Sequence, residues 1–216
     1  RLSQPVEVGQ IIPQINLSLN VNLLSSLSVF KLRTKHVDLT RLLKLMGQAK
    51  KVEQHRLSDV DMELTGAFEG QSLSLLSGEM SSSQGSLSFQ KDDKPFTSDY
   101  SNFQAKLDYS AADDILVIHN LSAKLADQQT VRVAGKLFSV HSDEMKFTGT
   151  ILGEDISISA LQTLWPKDQA VDVRSWFSQH MAGGRFKTLA VECDGRLRRE
   201  QSLMTFSQLN LSGEYA

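Results

Sequence analysis

The 216 residues contain a single cysteine, Cys193. One thiol cannot close an internal disulfide, so a disulfide-stapled scaffold is excluded, while the redox compartment stays open. No apolar run approaches the ~20 residues that a membrane-crossing helix needs, and no secretory leader is visible. The first residue is Arg1 rather than methionine. The sequence is therefore expected to be an excised piece, and a missing anchor says nothing about its parent. A dominant charge is lacking too: 23 basic side chains stand against 25 acidic ones, a net charge of −2. The densest basic patch, Arg196, Arg198 and Arg199, has no interleaved aromatics. It reads as a solvated strand end, so nucleic acid is not expected as a partner.

Catalytic patterns are equally scarce. There is no G-x-S-x-G elbow, no P-loop and no glycine-rich turn opening a helix after a strand. His36, His55, His119, His141 and His180 are scattered without an i, i+4 pair. Lone histidines are more often structural than ligating. Asp92-Asp93 and Asp113-Asp114 sit beside turn residues, where aspartate bonds its own backbone. Cys193 lies in a strand pattern between Glu192 and Asp194, and neighbouring carboxylates discourage a reactive thiolate. No enzyme activity, metal or cofactor is expected.

What is present is alternation. Hydrophobic residues make up 40% and charged residues 22%, a composition that folds. In QINLSLNVNLL, residues 14–24, Ile15, Leu17, Leu19, Val21 and Leu23 alternate with polar residues, which predicts a strand with one apolar face. Leu27, Val29 and residues 30–33 form its expected partner across a serine-rich turn. Residues 38–51 break the period: Leu39, Leu42, Leu43 and Met46 are helically spaced behind Asp38 as N-cap, with Gly47 ending the helix. Alternation then resumes, with Val60, Met62 and Leu64 set against Asp59, Asp61 and Glu63. Gly66, Gly70, Gly78 and Gly85 are expected as turns or bulges, and residues 91–99 as a polar loop. Further strands follow at about 100–109, 115–125, 131–137, 145–151, 186–197 and 203–215, roughly eleven in all at hairpin spacing. The words LSGEM, LSAKL and LSGEY, starting at Leu76, Leu121 and Leu211, fit a sheet built from similar strand units, although such short words recur by chance.

The longest departure from alternation is the stretch from Asp155 to Phe186, which holds both tryptophans. Ile158, Leu161, Leu164 and Trp165 fall on one helical face, and Pro166 suits the first turn of a second helix. There Val173, Trp176, Phe177, His180 and Met181 share a face, and Gly183 and Gly184 stop the helix. The reading is a broken helix packed as a lid on the apolar side of a sheet. Arg174 has two readings: a surface cation paired with Asp172 or a strand carboxylate, or a cation reaching a lipid headgroup.

The combination of Leu161, Trp165, Pro166, Arg174, Trp176, Phe177, Gly183 and Gly184 resembles a bacterial envelope family. It is similar to the uncharacterised domain that precedes the AsmA-like C-terminal region in YhdP-like and TamB-like proteins. The tight match covers about a seventh of the chain. The resemblance implies an inner-membrane-anchored periplasmic β-groove that carries phospholipid between inner and outer membranes of a Gram-negative bacterium. The expected fold is mainly β: an extended antiparallel sheet curled into a groove, with two short amphipathic helical segments. Residues 1–216 form one segment of such a duct, with a helical insertion at about 156–183. Its implied partners are phospholipid acyl chains, neighbouring segments of the same parent chain, and the membrane through parts outside the fragment. The candidate groove and lid residues are Val60, Met62, Leu64, Leu161, Trp165, Trp176, Phe177 and Met181. The alternative is a non-enzymatic β-sandwich or adhesion module without ligand, since groove and sandwich alternate identically along each strand.

Overall fold

The computed structural model describes residues 14–21, 27–38, 40, 59–91, 94–125, 128–164, 171–181, 183–198 and 203–216. These hold ten strands: β1 (Gln14–Val21), β2 (Leu27–Val37), β3 (Val60–Glu69), β4 (Ser72–Lys91), β5 (Lys94–Ser110), β6 (Ile115–Leu125), β7 (Thr130–Phe138), β8 (Glu144–Ser157), β9 (Arg185–Arg198) and β10 (Leu203–Tyr215). Two helices, α1 (Ile158–Leu164) and α2 (Val171–His180), separate β8 from β9. The fold is mainly β and antiparallel, as the alternation predicts, and the helices fall inside the expected insertion. The helix expected over residues 38–51 lies outside the described residues, except for its first positions. The chain divides into two compact units, residues 1–108 and 109–216.

In the first unit each strand from β1 to β4 pairs with the next in sequence. Register sets like against like, because a one-residue slip would move every side chain to the other face. Leu17 lies opposite Leu32 and Leu19 opposite Phe30; Leu32 meets Leu64, and Met62 meets Met80. The other face runs Asn16, Arg33, Glu63 and Glu79. There Arg33 Nε donates to Glu63 at 2.6 Å and Lys106 Nζ to Glu79 at 2.6 Å. Of the four glycines expected to punctuate this region, only Gly70 sits in a turn, with φ +63°. Gly66 lies inside β3 for a packing reason. A Cβ there would collide with the Phe30 ring, so the ring needs bare backbone beneath it. The polar loop expected at 91–99 is also mostly strand, since β4 extends to Lys91 and β5 begins at Lys94. A sheet with one wet face accepts polar residues that read as loop in sequence.

In the second unit β6 to β10 again pair in sequence order. One ladder row crosses four strands as Val133, Ile151, Val191 and Leu211. A second runs Leu137, Phe147, Gly195 and Phe206. The opposite face carries Lys136, Thr148, Asp194 and Gln208. The helices sit at one end of the apolar face. Ser157 caps α1 by accepting the Ala160 N–H at 3.1 Å. Ile158, 1% exposed, joins Ile156, Phe177, Phe186 and Leu189 in a buried cluster. Gly184, with φ +102°, turns the chain from α2 into β9, the role its sequence position predicts.

Candidate apolar floor and lid

The floor candidates Val60, Met62 and Leu64 occupy β3 in the first unit, where strand pleat puts alternate residues on one face. Val60 is buried and lies opposite Val37 and Ser82. Met62 is half-buried between Thr34 and Met80, and Leu64 is half-buried between Leu32 and Gly78. Towards β1 the same face becomes more open, with Leu17 68% and Leu19 64% exposed. Glu63 points the other way, held by Arg33 and Lys31, whose hydrogen bonds pull its pKa from 4.5 to about 2.

The lid candidates divide. Phe177 is buried, 6.1 Å from the Phe186 ring, and Leu161 and Met181 pack against the same cluster as half-buried neighbours. Trp176 does not join them. It is 52% exposed, stacked on the exposed His180 ring at 5.1 Å and edge-on to Phe177 at 5.4 Å. The helical period explains the split. Trp176 and Phe177 are about 100° apart around α2, and a ten-residue helix lying on a sheet buries one narrow stripe. The five-residue face expected from sequence is thus narrower in the structure: Phe177 points in, while Trp176 and His180 point out. Trp165 and the side chain of Arg174 lie outside what is described. Val60, Met62 and Leu64 belong to the first unit and the helical residues to the second, so each set stands by itself.

Beyond the helices, the apolar face of the second unit is only partly shielded. Val133, Leu137, Phe147, Val191, Leu209 and Leu211 are half-buried, and Ile151 is 37% exposed. Within this unit the described strands form a single layer, so no second sheet of its own faces these residues.

Two polar groupings escaped the sequence reading. His36 Nδ1 lies 2.6 Å from Asp59 Oδ1, while the His36 N–H donates to Asp61 at 2.9 Å and the Ser83 hydroxyl to the other Asp59 oxygen at 3.2 Å. The hydrogen bond from His36, then that from Ser83, lowers the Asp59 pKa. His141 Nδ1 lies 2.7 Å from Asp114 Oδ1 and chiefly accounts for the lowered Asp114 pKa. The partners are 23 and 27 residues apart, so no local spacing could reveal them. Both pairs lie near strand ends; the hydroxyl at the first, Ser83, bonds the carboxylate and not the imidazole, and the one at the second is the Tyr109 phenol, 3.2 Å from His141 Nδ1. Among the described residues no group of three or more His, Cys, Asp or Glu could hold a metal. Cys193 is buried against the Gly149 carbonyl, 3.6 Å away; burial first, and Asp194 second, raise its pKa. An open depression of about 530 Å³ beside Lys136, Thr148, Asp194 and Gln208 lies on the polar side and gathers no nucleophile–base pair. Among the described residues no helix is long and apolar enough to cross a membrane. No family model, curated protein or solved structure matches the chain.

Proposed function

We propose that this chain is a segment of an inner-membrane-anchored, periplasmic bridge that carries phospholipid between the inner and outer membranes along a hydrophobic β-groove. The observation that carries this reading is the apolar face of the second unit, continuous across β6 to β10 and covered by described helix at one end alone. A partly open apolar face of this kind suits a ligand, because large contiguous apolar surface on a protein commonly marks a binding site. Acyl chains suit it: each buried CH₂ contributes about 0.8 kcal/mol, and contact along a flat apolar floor needs no directional partner. The ladder rows run across the strands, so a chain lying along Val133, Ile151, Val191 and Leu211 would pass from strand to strand without meeting a charge. The resemblance to the AsmA-like envelope family supports the same reading and supplies the periplasmic location, the anchor and the neighbouring segments. On this reading Val60, Met62 and Leu64 are floor residues and Leu161, Phe177 and Met181 lid residues. Trp165 and the rim residue Trp176 complete the candidate set. No step of this function requires a catalyst or cofactor. A β-sandwich or adhesion module is less favoured, since neither unit supplies a facing sheet from its own described strands.

Native mass spectrometry of the chain purified from bacterial envelopes tests the reading. Co-purified phospholipid, lost on detergent exchange, is the expected result. A clean apo mass, under conditions where a known lipid carrier retains its ligand, would overturn it.

A further inference from the structure

We infer that α2 is a displaceable plug, which occupies part of the acyl track in this structure and is lifted off the sheet by an acyl chain entering it. This rests on the groove reading above and adds how access to the groove is regulated. The track is the ladder row Val133, Ile151, Val191 and Leu211, and its two halves differ. Ile151 on β8 is 37% exposed. Val191 and Leu211, the next two residues of the row, pack against the buried cluster of Ile156, Ile158, Phe177, Phe186 and Leu189. Leu161 and Met181, from the two ends of the helical insertion, pack against the same cluster. Packed side chains leave no room for a second occupant, so the helices and a lipid compete for this half of the row.

The helices are built to yield before the sheet does. Of the α2 side chains described, Ser175, Trp176, Ser178, Gln179 and His180 are exposed and Phe177 alone is buried. A segment held by one buried ring opens at a cost well below that of global unfolding. The feet of the insertion, by contrast, are tied to each other. Arg185 Nε and Nη2 donate to the Asp155 carbonyl at 3.3 and 3.2 Å, and the Ile158 N–H donates to the Gly184 carbonyl at 3.1 Å. Both feet hold left-handed backbone, Asp155 at φ +60° and Gly184 at φ +102°. Turns of this kind at element ends are where a hinge absorbs its change of direction. The β8–β9 ladder, paired to Ser157 and Arg185, therefore stays closed beneath while α2 swings away.

Hydrogen exchange and native mass spectrometry test it together. Chain stripped of lipid by detergent exchange is compared with chain reloaded from vesicles of phosphatidylethanolamine and phosphatidylglycerol. Reloading is expected to speed amide exchange at residues 175–181 at least about tenfold, without speeding it in β8 or β9. Leu161→Ala and Met181→Ala each trim a half-buried contact with the cluster and spare Phe177. Each should raise the lipid retained per chain at least about twofold, with the β circular dichroism unchanged. Slower exchange in reloaded α2, or less lipid on the trimmed variants, would make the helices a wall of the site and overturn the plug. Exchange and lipid content that both stay put would make them inert packing, which overturns it equally. Lipid absent from the unaltered chain and from every variant overturns the groove reading along with it, whereas lipid bound with either of the earlier results overturns the plug alone.

Discussion

Met62→Asp separates an open apolar face from a closed one. Met62 is half-buried on the β3 face, flanked by Val60 and Leu64 and facing Thr34 and Met80 across the ladder. Fully burying a methionine side chain is worth about 1.5–3 kcal/mol, so truncating a half-buried one costs about 1–2 kcal/mol. The introduced carboxylate adds little more if it can turn to water over an open face. For a chain of this length that loss lowers Tm by about 2–8 °C. In a closed interior the same carboxylate would be unpaired and dry, a penalty of about 4 kcal/mol or more, and the protein would lose its cooperative fold. The assay pairs thermal unfolding with photo-crosslinking of phospholipid to a probe on the same face. The expected result is a folded variant, slightly less stable, whose crosslinking is much reduced because acyl chains avoid a charged floor. A folded variant that crosslinks at the unaltered level would refute the floor role of β3. Loss of folding would refute the open face.

Phe177→Ala removes the buried ring that fixes α2 to Phe186 and the core cluster; a loss of about 3–5 kcal/mol is expected, appearing first as faster hydrogen exchange in α1 and α2. The Glu63 carboxylate titrates near 2 when folded and near 4.5 otherwise, so its stabilisation is complete above about pH 4.5 and disappears as pH falls towards 2. Glu63→Gln should therefore flatten the stability–pH curve across that window, and added salt should shrink the difference, since the carboxylate is partly exposed; an unchanged slope would refute the pairing with Arg33 and Lys31. Cys193→Ser should leave the fold and lipid content nearly unchanged, because the hydroxyl can still donate to the Gly149 carbonyl, and loss of lipid from a folded variant would show a role for the thiol.

Period-two alternation by itself determines the two faces of each strand. Leu17 and Leu19 against Asn16 and Ser18, and Val60, Met62 and Leu64 against Asp61 and Glu63, fall where the pleat requires. The stop at Gly183 and Gly184 is equally readable, because left-handed backbone after a helical pattern favours glycine. Other features are decided by neighbours that sequence does not name. Gly66 reads as a turn or bulge until Phe30 is found lying over it from the neighbouring strand. The pairs His36–Asp59 and His141–Asp114 exist through register and turn geometry acting across 23 and 27 residues. The helical pattern of α2 puts Trp176 and Phe177 on one broad stripe, but contact with β9 selects Phe177 and leaves Trp176 in solvent. Alternation records only that a strand has one dry side. What lies against that side is a property of layers, and within each unit the described strands form a single sheet, because each pairs with its neighbour in sequence and none of the described strands returns to cover the face.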